Sequence, residues 1–335
     1  MYKRYFWGLI FILIFISSLS FGKTIKVIDS LKREVKISLP VHRIVALNSD
    51  ALEVLRILNA QDMVVGVFSG IVKEKRFWGD LAKRPKVGKW NKPNIEAIVT
   101  LKPDIVIAYT RSPGIELERK LSAFHIPVLR LDFYKVKTLI NEVNILAQVL
   151  NKKQAAMEFC NWYTKYIKQF SKIKNIKKRP LVYIESYTEY HSVGPGSGGH
   201  EICELAGGKN IAGDFSIPYP RVTPEWVVTQ DPDIIVKAAA WGRGYELNYP
   251  IFLNKLRKRI INRPGWRHIK AVKTERVYVI DSSIWSGPRA IIGIAYLAKW
   301  FHPKIFTKLN PESLHKEYLE KFQHIPFKGV YVSQK

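Results

Sequence analysis

Asn94 to Ile107 (NIEAIVTLKPDIVI) and Thr223 to Val236 (TPEWVVTQDPDIIV) decide how this chain is read. Glu, Val, Thr, Pro, Asp and Ile recur at the same offsets in the two stretches. Each opens on a residue able to cap a helix and carries a Glu near the helix start. The helix then ends at Pro-Asp, because proline lacks the N–H and clashes with the preceding turn. An apolar, β-branched run follows, the mark of a strand buried on both faces. Two such units predict two similar α/β lobes, each presenting one carboxylate, Glu96 or Glu225, from the start of one helix.

The flanking sequence extends both lobes. Thr24 to Leu39 alternates apolar and polar residues about Asp29-Ser30, as a β-hairpin does. Arg43 to Leu47, Val64 to Val67, Ile105 to Ala108 and Val128 to Leu131 then read as strands separated by helical segments, a pattern that favours a mostly parallel sheet covered on both faces. From Val136 to Phe170 there is neither Pro nor Gly, and an apolar helical stripe runs from Leu139 to Phe170 past a polar patch at Asn151 to Gln154. The sharper expectation is one long helix joining the lobes; the alternative is two helices broken near Asn151. The second lobe follows, with strands at Leu181 to Glu185, Ile234 to Val236 and Arg276 to Ile280. The expected organisation is a leader over 1–22, an N-terminal α/β lobe over 23–134, a linking helix over 135–172 and a C-terminal α/β lobe over 173–335.

Bulk properties narrow the function. A chain of 335 residues with 47% hydrophobic composition can build two cores. Lys and Arg number 54 against 28 Asp and Glu, a formal charge of +26 that favours anionic partners. At the N-terminus, Lys3 and Arg4 precede the apolar run Tyr5 to Ile16 and the small residues Ser17 to Gly22, the plan of an export signal cleaved near residues 20–22. The apolar run is shorter than a bilayer span. With no nearby Cys to carry a lipid, the expected location is periplasmic, and export argues against nucleic acid. Cys160 and Cys203 are the two cysteines, either paired or buried as thiols.

No motif for metal or catalysis is present: no His-Glu-x-x-His, no Cys pairs, no calcium loop. The run Gly194 to Gly199 lacks the Gly-Lys-Ser/Thr ending of a phosphate-binding loop. Ser197, His200 and Asp214 could be drawn as a triad only because Ser and His are numerous. No catalytic residue, metal ligand or cofactor is therefore assigned, and the chain is not expected to be an enzyme. The informative residues lie just past strand ends, where open α/β sheets bind ligands. Those read as ligand-binding are Trp90, Tyr109 and Arg111 in the first lobe and Tyr187, His191, Arg221, Trp241, Trp285 and Arg289 in the second. Aromatic rings with Arg suit a ring-containing anion.

These features resemble the substrate-binding proteins of ABC importers for iron-siderophore complexes, haem and cobalamin. The likeness is carried by Arg43 to Leu47, Asn94 to Asp104, the long central helical stretch, Glu204 to Asn210, Arg263 to Trp266 and Gly287 to Arg289. The resemblance implies two Rossmann-like α/β lobes joined by one long helix, with ligand in a shallow cleft. It implies delivery to a membrane permease, with Glu96 and Glu225 matching the family's pair of docking glutamates. The expected ligand is an iron(III) chelate, with a corrinoid or haem as alternatives. The protein is expected to act as a monomer.

Overall fold

The computed structural model describes residues 23–171, 173, 176, 178–239 and 244–334. The leader over 1–22 and Trp241 lie outside the described residues.

Two four-stranded parallel sheets form the lobes. The first runs Val64–Val67, Ile44–Ala46, Ile105–Ala108, Val128–Arg130, and the second Lys209–Asn210, Leu181–Glu185, Ile234–Ala239, Val277–Asp281. The central strands Ile105–Ala108 and Ile234–Ala239 are buried throughout; the first is wholly apolar, and the one charge in the second, Lys237, is paired with Glu185 at 3.0 Å. The expected hairpin is present as Thr24–Ile28 paired with Glu34–Ser38.

The two matching stretches fold alike down to single hydrogen bonds. Asn94 Oδ1 accepts from Ala97 N at 3.0 Å, and Thr223 Oγ1 from Trp226 N at 3.1 Å, so each side chain satisfies a donor that the first helical turn leaves unpaired. Thr100 and Thr229 each donate back to the carbonyl of the glutamate, both at 2.9 Å. After the helices, Lys102 (φ 44°) and Asp231 (φ 41°) turn the chain through the left-handed region. The recurring aspartates then tie each unit to its neighbouring strand. Asp104 accepts from the backbone of His42 and Arg43 at 2.7 and 2.8 Å, and Asp233 from Leu181 N at 2.9 Å. Pro-Asp therefore both ends the helix and sets the position of the next strand.

The linking segment corrects the expectation of one unbroken helix. It consists of Val136–Leu150 and Lys153–Ser171. The break falls at Asn151, whose φ of 53° is left-handed, a conformation asparagine tolerates better than most residues at a helix end. The start of the first helix is satisfied from the far lobe, where the Glu201 carboxylate accepts from Val136 N and Lys137 N at 3.2 and 2.9 Å.

One apolar cluster runs through both lobes and the link, from Ile44 and Leu52 through Leu139, Val143 and Phe159 to Ile184, Ile280 and Ile292. A buried ion pair, Glu53 with Arg289 at 2.7 Å, crosses it, and Tyr318 donates to the second Glu53 oxygen at 2.8 Å. Cys160 and Cys203 are buried free thiols.

Candidate functional site

In a parallel sheet, every loop following a strand lies at one edge, and here those edges of both lobes face a shared cleft. The cavity measures about 400 Å³ and is lined from the first lobe by Asp50, Trp90, Tyr109, Arg111, Ser112, Asp132 and Tyr134. The second lobe supplies Ser186, Tyr187, Gly198, Gly199, Tyr219, Trp285 and Ser286. A larger groove of about 920 Å³ opens at the opposite end of the first lobe, between the hairpin and the loop before Val128, and takes no residue from the second lobe.

The first-lobe wall is a chain of rings. Trp90 meets Tyr109 edge-on with centroids 6.0 Å apart, and Tyr109 meets Tyr134 at 5.9 Å. Tyr109 donates its hydroxyl to Asp50 at 2.7 Å. Asp50 stands in the first turn of the helix Ser49–Ile57, where Asn48, not Asp50, is the cap. Asp132 is occupied by Thr110, which donates from its backbone N–H and its hydroxyl, both at 2.9 Å. Across the cleft Trp285 is buried and lies against Gly199. A Cβ at Gly199 would fall 2.6 Å from the indole, so a side chain there would push the ring out of place.

Burial governs the electrostatics. The Asp50 carboxyl is pushed up to about 7 by burial, helped by the nearby Glu53 charge and opposed by the Tyr109 hydrogen bond and the Arg289 charge. The Tyr109 phenol is also raised, first by burial and then by the adjacent Asp50 charge, so it stays neutral at physiological pH. Arg111 is exposed and is the one cation among the described residues lining the cavity.

Of the nine residues read from the sequence as ligand-binding, five line this cavity: Trp90, Tyr109, Arg111, Tyr187 and Trp285. His191 and Arg221 sit outside it, held to each other by a backbone bridge, with the His191 ring 3.1 Å from the Glu189 carbonyl oxygen. Arg289 is the clear correction. Its guanidinium is consumed by Glu53, a residue 236 positions away, and is packed over Phe77 at 4.4 Å inside the lobe junction. Ser197 caps the helix Gly198–Leu205, and the His200 ring pairs with Asn210, so no triad forms. Asp50, Asp132, Tyr134 and Tyr219 were missed. Tyr134 was within reach of the strand-end rule that picked Tyr109, since it follows the strand Val128–Arg130. Glu96 and Glu225 are both exposed at the same edge as the cleft. Among the described residues, no group of three or more His, Cys, Asp or Glu is placed to hold a metal ion.

The sequence over residues 44–284 matches the family model described as periplasmic binding protein. The chain belongs to that family. It is 25% identical to the molybdate-binding protein MolA of Haemophilus influenzae, over 93% of this chain and 95% of the relative. It is 27% identical to a vitamin B12-binding protein of Vibrio vulnificus, over 58% of this chain and 70% of the relative. Among solved structures, the TroA-like periplasmic binding protein FepB of Veillonella parvula superposes with a TM-score of 0.78 at 21% identity, covering 92% of this chain and 99% of that one. The MolA structure with molybdate superposes with a TM-score of 0.76 at 24% identity, covering 91% and 99%. The chain is thus the substrate-binding component of an ABC importer, not an enzyme, and its partners are a small molecule and a membrane permease. Among the described residues no helix is long and apolar enough to cross a membrane.

Proposed function

We propose that this protein captures an anionic iron(III) chelate bearing aromatic rings and hands it to its permease. The observation that carries this reading is the cleft wall: Trp90, Tyr109, Tyr134, Tyr187, Tyr219 and Trp285 surround a cavity in which Arg111 is the single lining cation among the described residues. Rings stack on such a wall, and guanidinium pairs with carboxylate or catecholate oxygen. The volume of about 400 Å³ sits at the small end of the range for drug-sized ligands. Because no metal-holding cluster exists among the described residues, the metal would arrive with its own donors. Removing a stacking ring costs up to about tenfold in affinity and removing a charged hydrogen bond about ten- to a hundredfold. Trp90→Ala and Arg111→Ala should therefore weaken a ferric catecholate by those factors in a fluorescence titration; unchanged affinity in both would refute the site.

A second reading is a small oxyanion such as molybdate. It is favoured by Gly198 and Gly199, which bring the start of the helix Gly198–Leu205 to the cavity wall. Asp50 shares the cavity and, once ionised, opposes either anion alike, so the rings and not the charge favour the chelate. Corrinoid or haem would be served by the same rings, but either macrocycle would have to lie across the mouth of so small a cavity. In this account the leader over 1–22 is removed on export near residues 20–22, and Glu96 and Glu225 contact the permease, one from each lobe. The lobes correspond to residues 23–134 and 173–335, and the protein works as a monomer.

A further inference from the structure

Most of the positive charge of the chain lies away from the cleft, where Arg111 is the one lining cation among the described residues. Part of that charge is gathered beside an apolar tip. Tyr249, Ile251 and Phe252 are 71%, 60% and 50% exposed, at the start of the helix Ile251–Ile261. The opposite face of this helix packs Leu253, Leu256 and Ile260 against the second sheet. The outward face therefore reads Ile251, Phe252, Lys255, Lys258, residues within one or two turns of each other on one side. An apolar tip leads and cations follow. From the other lobe Arg76 reaches over, donating to Asn248 Oδ1 and the Glu246 carbonyl at 3.0 Å each, which places a further cation beside Tyr249. The Glu246 carboxylate is turned away to the backbone N–H of Phe77 at 3.0 Å.

The helix follows the strand Ile234–Ala239, so its start lies at the carboxyl edge of the sheet. That is the edge that carries the cleft and Glu225. The proposed contact of Glu225 with the permease, on which this orientation rests, turns the same edge toward the membrane. We infer that the tip formed by Tyr249, Ile251 and Phe252, with Lys255, Lys258 and Arg76 around it, docks on an anionic lipid surface. Apolar side chains enter the boundary below the headgroups while lysine and arginine stay at headgroup level, the arrangement of helices that lie on membranes. Charge complementarity selects an anionic lipid surface over a neutral one, since Lys255, Lys258 and Arg76 ring the apolar tip.

The test is co-sedimentation of the full-length mature protein, without any chelate, with vesicles of phosphatidylcholine alone or mixed with phosphatidylglycerol. Binding is expected only to the anionic vesicles and should weaken with added salt. The double variant Ile251→Ser/Phe252→Ser should lose at least about tenfold, and Lys255→Gln or Lys258→Gln about fivefold each. Circular dichroism would show that each variant is folded, and all these residues are surface groups outside the cleft. Absence of binding to anionic vesicles by the parent protein would overturn the inference. So would binding that the double variant retains in full. Loss of permease association in the double variant with vesicle binding intact would assign the tip to the permease instead. Because no chelate is present, none of these outcomes bears on ligand identity.

Discussion

Asp50 is a carboxyl that keeps its proton to near neutrality, because it is largely buried in the cleft wall and Glu53 lies one turn further along the same helix. The sign of its effect follows directly. Below about 7 the group is neutral and adds no charge to the cleft; above it, an anion faces an anionic ligand. Affinity for an anionic ferric chelate should therefore rise at least about threefold between pH 8 and pH 6, and Asp50→Asn should flatten that dependence. Isothermal titration at the two pH values checks it. The same shift acts on folding. A carboxyl raised above its unfolded value stabilises least where it is ionised, so its contribution is present in acid and is lost as pH climbs through about 7. Asp50 was not legible as a site residue, since Asn48, Ser49 and Asp50 are all residue types that cap helices and only the fold assigns the cap to Asn48. Trp90, Tyr109, Arg111, Tyr187 and Trp285 were legible because position after a strand places a residue at the cleft edge. Arg289 obeys the same rule and fails it, because its partner Glu53 comes from the other lobe and no local pattern reveals such a pair.

At the scale of elements, the paired stretches carry the most information. Their caps, their threonine back-bonds and their Pro-Asp exits are duplicated almost bond for bond, which is why the fold of both lobes could be read from them. A glutamate in the first turn is stabilised there by the helix dipole, so capping alone accounts for either one. Both are exposed, as the proposed contact with the permease requires. Glu96→Arg with Glu225→Arg should leave chelate affinity within about twofold while uptake by cells falls to background; both glutamates lie outside the cavity, and each reversal costs no more than a surface charge does. Loss of affinity would refute the docking role. The break at Asn151 was the harder feature. An apolar stripe continues across it, and the one sign was a polar patch that also suits a solvated helix face.

For the whole molecule, the continuous apolar cluster and the buried Glu53–Arg289 pair tie the lobes into one cooperative unit. Arg289→Ala leaves Glu53 buried with Tyr318 as its remaining side-chain hydrogen-bond donor, at a cost of about 3–5 kcal/mol. Urea denaturation should show this as a lower midpoint in a single transition for parent and variant alike; two separate transitions in the parent would show that the lobes fold independently. Equilibrium titration of the purified protein against ferric catecholate and hydroxamate chelates, molybdate, cobalamin and haem should give saturable one-to-one binding for a ferric chelate and much weaker binding for the other three. Tight binding of molybdate, cobalamin or haem, with no ferric chelate bound, would contradict the account.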